Sequence, residues 1–194
     1  LLKFSAFPEL DGNVMEARVL LPQGTPLKRT EQVVEHLKSA LGRVNKKLSP
    51  EQPGGQSLVE QVVAKFNENS SANETGPHVA TISVDLLESE RRTSRIDDVI
   101  AMWRHETGEI ADVISVKFTE SQVGPAGLAF DIRLTGRDLD SLKAAAIELT
   151  DWLNGYPGTS NLTDDLRPGK PELRVSLKDG ASTLGVDARQ IADQ

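Results

Sequence analysis

The sequence has no cysteine and few aromatic residues, and it carries no excess of positive charge. With no cysteine among 194 residues, neither a disulfide nor a thiolate metal site can form. Phe, Trp and Tyr make up 4% of the chain, too few to suggest a platform on which nucleic-acid bases stack. Acidic residues outnumber basic ones by 29 to 22, so the net charge is −7. Because nucleic-acid-binding domains are usually basic, we expect no nucleic-acid partner.

The sequence also contains no apolar run of the roughly 20 residues that a membrane-spanning helix needs. Hydrophobic residues make up 38% and charged residues 26% of the chain. These proportions are typical of a folded globular domain, and the length is enough for one or two such domains.

A set of residues able to carry out catalysis is missing as well. The three histidines are His36, His78 and His105, and no metal-ligand spacing connects them. The segment "HETGE" at His105 differs from the H-E-x-x-H zinc motif. No nucleophilic, basic and acidic side chains occur together in a pattern typical of a catalytic site. We therefore predict no enzymatic activity, no metal site and no cofactor.

The first part of the chain shows clear periodicity. Apolar residues alternate at period two in the predicted strands and follow i, i+3, i+4 spacing in the predicted helices. The predicted elements are a strand over 12–21, a helix over 30–48, strands over 58–66 and 79–87, a helix over 94–107 and a strand over 114–118. Residues 12–118 thus predict an α+β, ferredoxin-like split βαβ unit, with two helices on one face of a four-stranded antiparallel sheet.

Local signals add detail to this prediction. Thr30 is expected to cap the first helix, and Ser94 with Asp97 the second. The polar stretch 67–78, "NENSSANETGPH", is predicted to be a long exposed loop. Trp103, late in the second helix, is expected to pack against the sheet.

The pattern then restarts but does not finish. We predict strands over 128–134 and 159–166, with a helix over 139–153 between them that Asp138 caps, and a further strand over 172–177. This is a single βαβ, half of the first unit. Trp152 is expected to pack against its sheet. A half unit leaves a strand edge and apolar helix positions such as Leu142 and Leu149 exposed, so we expect the isolated fragment to self-associate, or this region to be mobile or differently docked.

Several segments resemble one family when they are taken in order. These are "FPELDGNVMEARVLLPQGTPLKRTEQVVEHL", "SVDLLESERRTSRIDDVIAMWR" and "FDIRLTGRDLDSLKAAAIELTDWLNGYPGTSNLTDDLRPGKPELRVSLKDGASTLGVDARQIA". Together they are similar to the second periplasmic loop of RND (resistance-nodulation-division) efflux transporters of the AcrB/AcrD/AcrF type. The resemblance covers essentially the whole chain.

The resemblance implies a domain organisation. Residues 1–11 would be a linker from a preceding membrane helix, and residues 12–122 a complete porter subdomain. Residues 123–169 would be the first half of a second porter subdomain. Residues 170–194 would be the truncated start of a docking subdomain.

The resemblance also implies a function. The chain would be a periplasmic porter-domain fragment of a proton-driven inner-membrane efflux pump of a Gram-negative bacterium. It would line the cleft through which drugs or other small amphipathic substrates pass, with Val63, Lys65 and Phe66 as candidate cleft residues. The intact pump would be a homotrimer that works with a periplasmic adaptor protein and an outer-membrane channel.

Three alternatives to the export of apolar drugs remain open. In the family, a glycine-rich loop follows the second strand, whereas residues 67–78 are polar, which suits more polar, charged or bulky amphipathic substrates. A metal-exporting RND pump would favour methionine ligands, and the chain has only Met15 and Met102. A stand-alone ferredoxin-like ligand-binding module is the remaining alternative.

Overall fold

The computed structural model describes residues 11–69, 72, 74–121 and 130–167. The strands in these ranges are β1 (Val14–Leu20), β2 (Val59–Asn69), β3 (Glu74–Leu86) and β4 (Ser115–Glu120), and the α-helices are α1 (Leu27–Leu48), α2 (Ile96–Thr107) and α3 (Leu139–Asn154). The strands form one sheet in the order β2-β3-β1-β4, and every neighbouring pair is antiparallel. The predicted α+β split βαβ unit is therefore confirmed.

The core lies between one face of this sheet and helices α1 and α2. In β1, Met15, Ala17 and Val19 are all buried on that face, as the period-two pattern requires. In α1, the buried residues recur every three or four positions, because such residues share one face of a helix. They are Thr30, Val33, Val34, Leu37, Ala40, Leu41, Val44 and Leu48.

Trp103 of α2 lies at the centre of this core. Its side chain is 0% exposed, and its indole N–H donates a hydrogen bond of 2.9 Å to the carbonyl of Leu37. Its ring meets that of Phe118 edge to face at 5.1 Å between centroids, a favoured geometry for two aromatic rings. The predicted packing of Trp103 against the sheet is confirmed.

Both predicted caps of the first two helices are wrong. Helix α1 begins at Leu27, and Thr30 instead lies buried inside it and donates its hydroxyl to the carbonyl of Pro77 at 2.6 Å. At the start of α2, the hydroxyl of Ser94 accepts a hydrogen bond from the side chain of Gln52. In both places the predicted capping hydroxyl is bonded to a residue far away in sequence.

The cap of α2 comes from Asp11, 85 positions earlier. Its Oδ1 accepts a hydrogen bond of 3.0 Å from the backbone N–H of Ile96, the first residue of the helix. A carboxylate at this end satisfies a free N–H group and complements the helix dipole. Asp11 therefore joins the start of β1 to the start of α2.

The second unit is only partly as predicted. Helix α3 is present, and Asp138 caps it by accepting a hydrogen bond of 2.8 Å from the N–H of Ser141. The hydrogen bonds with Ser141 also hold the pKa of Asp138 below its ordinary value. The described residues 130–134 and 159–166 form no strand, because a strand needs a partner to complete its hydrogen bonds. The predicted strand 172–177 lies outside the described residues.

The side chains of α3 also differ from expectation. Leu142 and Leu149 are half-buried, whereas Ile147 is exposed. Trp152 is 59% exposed and contacts the ring of Tyr156 at 4.7 Å between centroids. The prediction that Trp152 packs against a sheet is wrong, because no strand forms beside α3 in the described residues.

Candidate functional site

The sheet face that points away from α1 and α2 carries a line of basic side chains. In an antiparallel sheet, residues that pair directly across strands project to the same side. Lys65 pairs with Thr81, Thr81 with Arg18, and Arg18 with Lys117. These four residues cross all four strands, and we call Lys65, Arg18 and Lys117 the basic row. The face on which they lie is the open face.

A second line of paired residues runs beside the basic row on the same face of the sheet. Val63 pairs with Ser83, Ser83 with Glu16, and Glu16 with Thr119. Arg18 reaches towards this line, and its Nη2 lies 2.7 Å from Oε2 of Glu16. This ion pair fixes Arg18 in the middle of the open face.

The structure separates the three residues predicted for the cleft. Val63 and Lys65 both lie on the open face, and Val63 is 38% exposed there. Phe66 pairs with Ala80 on the other side of the sheet and packs against the hydrophobic core. Since side chains alternate along a strand, positions 63 and 65 share a face and position 66 takes the opposite one.

Lys117 sits in a strongly positive environment. Burial lowers its pKa, and the positive charges of Arg167 and Arg18 lower it further. Lys117 forms no ion pair with any residue in the described ranges. Its ammonium group thus lies near two guanidinium groups that are themselves paired with Glu16 and Glu74, while it has no carboxylate partner of its own in the described ranges.

Arg167 is brought to this region by the chain after α3. Its Nη1 donates to Oε1 of Glu74, at the start of β3. Its Nε–H is buried and has no hydrogen-bond partner among the residues that the structure describes. A buried donor without a partner is uncommon in folded proteins and is a natural contact for an anionic oxygen.

Two side-chain contacts hold the segment after α3 in place. The amide of Asn161 accepts from the N–H of Phe118 at 3.2 Å and donates to its carbonyl at 2.9 Å, as a neighbouring strand would. Lys143 of α3 forms an ion pair of 2.7 Å with Asp164. The first contact covers part of the exposed edge of β4, which would otherwise be free to pair with another chain.

A shallow cavity of about 260 Å³ lies between α2, β4 and Ser160. Arg104 lines it, and burial lowers the pKa of this guanidinium. Arg104 lies over the ring of Phe118, 5.7 Å from its centroid. The cation is thus already engaged with the protein, and Asp97 and Glu120 bring negative charge to the same cavity.

The predicted loop over 67–78 is wrong. Strand β2 continues to Asn69 and β3 begins at Glu74, so residues 67–69 and 74–78 belong to the paired strands of a long hairpin. The pairing shifts register between Phe66 and Glu68, beside Asn67 with φ of 65° and opposite Gly76 with φ of 136°. This positive φ at Gly76 is a conformation that a residue with a side chain rarely adopts.

Asn69 anchors the end of this hairpin. It is only 3% exposed, and its side-chain amide donates a hydrogen bond of 3.0 Å to the carbonyl of Val19. Near it, His78 is buried, and its Nε2 lies 2.8 Å from Oε2 of Glu74. The hairpin is therefore tied to the sheet by polar contacts.

Glu74 connects the hairpin to the segment after α3. The hydrogen bond from His78 and the charge of Arg167 lower the pKa of Glu74, against the opposing effect of burial. A lowered pKa in the folded state means that ionised Glu74 stabilises the fold above its unfolded pKa of 4.5. This contribution is lost as the pH falls below that value.

We therefore expect the Arg167 contact to break in acid. The NMR signal of the Arg167 Nε–H should shift as the pH falls below 4.5, because the pKa of Glu74 is lowered from that value and its carboxylate is protonated only at lower pH. In Glu74→Gln the shift should be absent, since the amide does not titrate. The matched control is Glu60→Gln, which changes an exposed residue of β2 and should keep the wild-type titration. An unchanged titration in Glu74→Gln would contradict the assignment.

Within the described ranges, no three His, Cys, Asp or Glu side chains group closely enough to hold a metal ion. In the same ranges, every helix is too short or too polar to cross a lipid bilayer.

The family of the chain follows from a match over nearly its whole length. The model of the AcrB/AcrD/AcrF family matches residues 3–194. The chain belongs to this family. Its members are transporters, in agreement with the resemblance seen in the sequence. A comparison with curated proteins gave no match to the chain.

Two solved structures have a similar fold. An X-ray structure of a heavy metal efflux pump in crystal form I is 21% identical, with a TM-score of 0.63, and the match covers 94% of this chain and 19% of that one. Crystal form II gives 22% identity, a TM-score of 0.65, and coverage of 96% and 19%. The chain thus spans about a fifth of the length of each solved protein. At this identity the likeness shows the fold alone.

The sequence pointed to two of the residues on the open face, Val63 and Lys65, and missed three others. Arg18 and Lys117 could have been assigned to one face by alternation within their own strands. Their positions beside Lys65 depend on the register between strands, which no local pattern gives. Arg167 reaches the site only because the segment after α3 lies against the sheet.

Proposed function

We propose that the chain is a periplasmic porter-domain part of a proton-driven RND efflux pump in the inner membrane of a Gram-negative bacterium. The pump works as a homotrimer with a periplasmic adaptor protein and an outer-membrane channel. The open face lines the cleft that small amphipathic substrates cross. The family match supports this assignment, together with a sheet on which, in the described part of the chain, helices α1 and α2 cover one face.

The observation that carries the cleft assignment is the position of Val63 and Lys65. Both project from β2 onto the open face, and both are exposed. A face that combines an exposed apolar side chain with charged groups can hold an amphipathic molecule by apolar contact and by charge. The domain boundaries 1–11, 12–122, 123–169 and 170–194 form part of this proposal.

Metal export is the alternative, since the solved proteins of similar fold are described as heavy metal efflux pumps. Soft metal ions would favour methionine ligands. Met15 is fully buried in the core, and Met102 packs against the core from α2. Neither methionine supports a metal path across the open face, and on this ground we propose organic substrates.

The absence of cysteine in this chain allows a direct test of the cleft. In the complete pump, freed of any other cysteine, Val63→Cys is reacted in the periplasm of intact cells with a bulky maleimide. Export of a fluorescent amphipathic dye should then fall by about tenfold or more, because the attached group fills the cleft. Export of copper and silver ions, measured in the same cells, reports on the alternative.

The matched control is Ser39→Cys on the exposed side of α1. Its labelling to the same extent should leave dye export unchanged. If labelled Val63→Cys exports dye as well as labelled Ser39→Cys does, the open face does not line the substrate path. If labelling blocks metal resistance but leaves dye export intact, the metal alternative replaces the proposal.

A further inference from the structure

The basic row has the dimensions of a binding site for a small organic ion. Lys65 lies on one edge strand and Lys117 on the other, with Arg18 between them. Neighbouring strands are about 4.8 Å apart, so three strand spacings separate the two lysines by about 14 Å. This distance is comparable to the length of a small amphipathic molecule.

The positive charge of the row is only partly neutralised by the protein. Glu16 pairs with Arg18, but in the described part of the chain neither lysine of the row has an ion-pair partner. Lys117 is half-buried near Arg18 and Arg167, so folding brings like charges together there at a cost in stability. Groups held in an unfavourable electrostatic environment are more frequent at functional sites than elsewhere.

Arg167 adds a second, independent observation. Its Nη1 is bonded to Glu74, while its buried Nε–H has no partner among the described residues. Leaving a buried donor unpaired costs free energy. A water molecule or a bound ion that reached this donor would supply the missing acceptor.

Other occupants of this face fit less well. A metal cation would be repelled by Lys65 and Lys117, which form no ion pair with any described residue. A nucleic acid would be repelled by a protein whose net charge is −7. A purely apolar molecule would find only a small apolar surface around Val63.

We propose that the basic row binds an amphipathic anion, such as a carboxylate, a sulfonate or a sulfate, whose head group lies at the Lys117 end of the row and whose apolar part extends across the open face over Val63. This inference rests on the function proposed above and names the substrate class of that cleft. It assigns binding roles to Arg18, Lys117 and Arg167 in addition to Lys65.

The test compares three ligands that share one apolar chain and differ in head group. Octyl sulfate, octyl glucoside and octyltrimethylammonium are titrated into the 194-residue protein, below the concentrations at which they form micelles, and binding is followed by NMR. Octyl sulfate should bind about fivefold or more tightly than octyl glucoside, because each partly exposed charge contact contributes a few-fold in affinity. Its signals should shift most at Thr81 and Ser83. The preference should weaken as salt is added.

Matched double variants separate a local site from a general charge effect. Lys65→Gln with Lys117→Gln should abolish the preference for octyl sulfate. Lys28→Gln with Lys46→Gln removes the same charge from exposed positions on α1 and should leave it intact. Equal loss in the two double variants would overturn the proposal. So would equal binding of the three ligands, preference for octyltrimethylammonium, or shifts that map away from the open face.

The outcome also separates this inference from the proposed function. If octyl sulfate and octyl glucoside bind equally well at Thr81 and Ser83, the head-group class is wrong while the open face still binds amphipathic molecules. If maleimide attached at position 63 leaves dye export intact, the cleft assignment fails whatever the titrations show.

Discussion

Trp103→Ala should lower the free energy of unfolding by about 3 to 5 kcal/mol, the usual range for truncating a fully buried aromatic residue. The indole is 0% exposed and contacts Phe118 edge to face. Its removal leaves a cavity between α1, α2 and the sheet that the close-packed core cannot easily fill. Urea unfolding followed by far-UV circular dichroism measures the loss.

The chain contains its own control for this prediction. Trp152 also lies late in a helix, but it is 59% exposed and contacts only Tyr156 among aromatic rings in the described residues. Trp152→Ala should change the stability by less than about 1 kcal/mol. Comparable losses in the two variants would show that α3 is packed far more tightly than the structure indicates.

The two tryptophans also show what local sequence patterns can and cannot predict. Both lie on an apolar helix face, so the same reasoning placed both against a sheet. It succeeded for Trp103, because the four strands beside α2 pair with one another along their own length. It failed for Trp152, because a predicted strand forms only where a second strand completes its hydrogen bonds, and sequence periodicity does not reveal whether that partner is present.

The polar hairpin was missed for a related reason. Residues 67–78 have the composition of an exposed loop, and polarity is a good guide to loops in general. One contact that holds this hairpin is the hydrogen bond from Asn69 to the carbonyl of Val19, between residues 50 positions apart. A contact of this kind depends on the finished sheet, so no short window of sequence contains it.

The open face was predictable only in part. Alternation along β2 placed Val63 and Lys65 together, and the same rule would have excluded Phe66 from that face. The basic row also needs the register of β1 against β3 and β4. A shift of one residue in either pairing would turn a whole strand over and break up the row.

Arg92→Ala should destabilise the fold by about 3 to 5 kcal/mol, the range for breaking a buried charge network by removing one partner. The Arg92 side chain is 0% exposed, and every nitrogen of its guanidinium group donates. Its bonds are Nε to the carbonyl of Ser94 at 2.9 Å, Nη1 to Asn13 Oδ1 and the carbonyl of Leu87 at 3.0 Å each, and Nη2 to Asp11 Oδ2 and the carbonyl of Gly12 at 2.6 Å each.

The loss should spread from this network to helix α2. Asp11 accepts from Arg92 with one carboxylate oxygen and from the N–H of Ile96 with the other. Without the guanidinium, Asp11 is no longer held at the helix end, so the first turn of α2 loses its cap. Hydrogen exchange at the amide of Ile96 should therefore accelerate more than exchange in the middle of α2.

The neighbouring residue provides the matched control, because Arg91 and Arg92 are indistinguishable in the stretch "ERRTS". Arg91 is exposed and donates a hydrogen bond of 2.7 Å to the side chain of Gln56. Arg91→Ala should change the stability by no more than about 0.5 kcal/mol. Arg92→Lys should fall between the two, since an ammonium group keeps the charge but cannot reproduce the planar set of donors. If Arg92→Lys is as stable as the wild type, charge alone and not the hydrogen-bond geometry stabilises this corner of the fold. If the two alanine variants unfold at the same urea concentration, the Arg92 network stabilises the fold no more than the surface contact of Arg91 does, and the prediction is wrong.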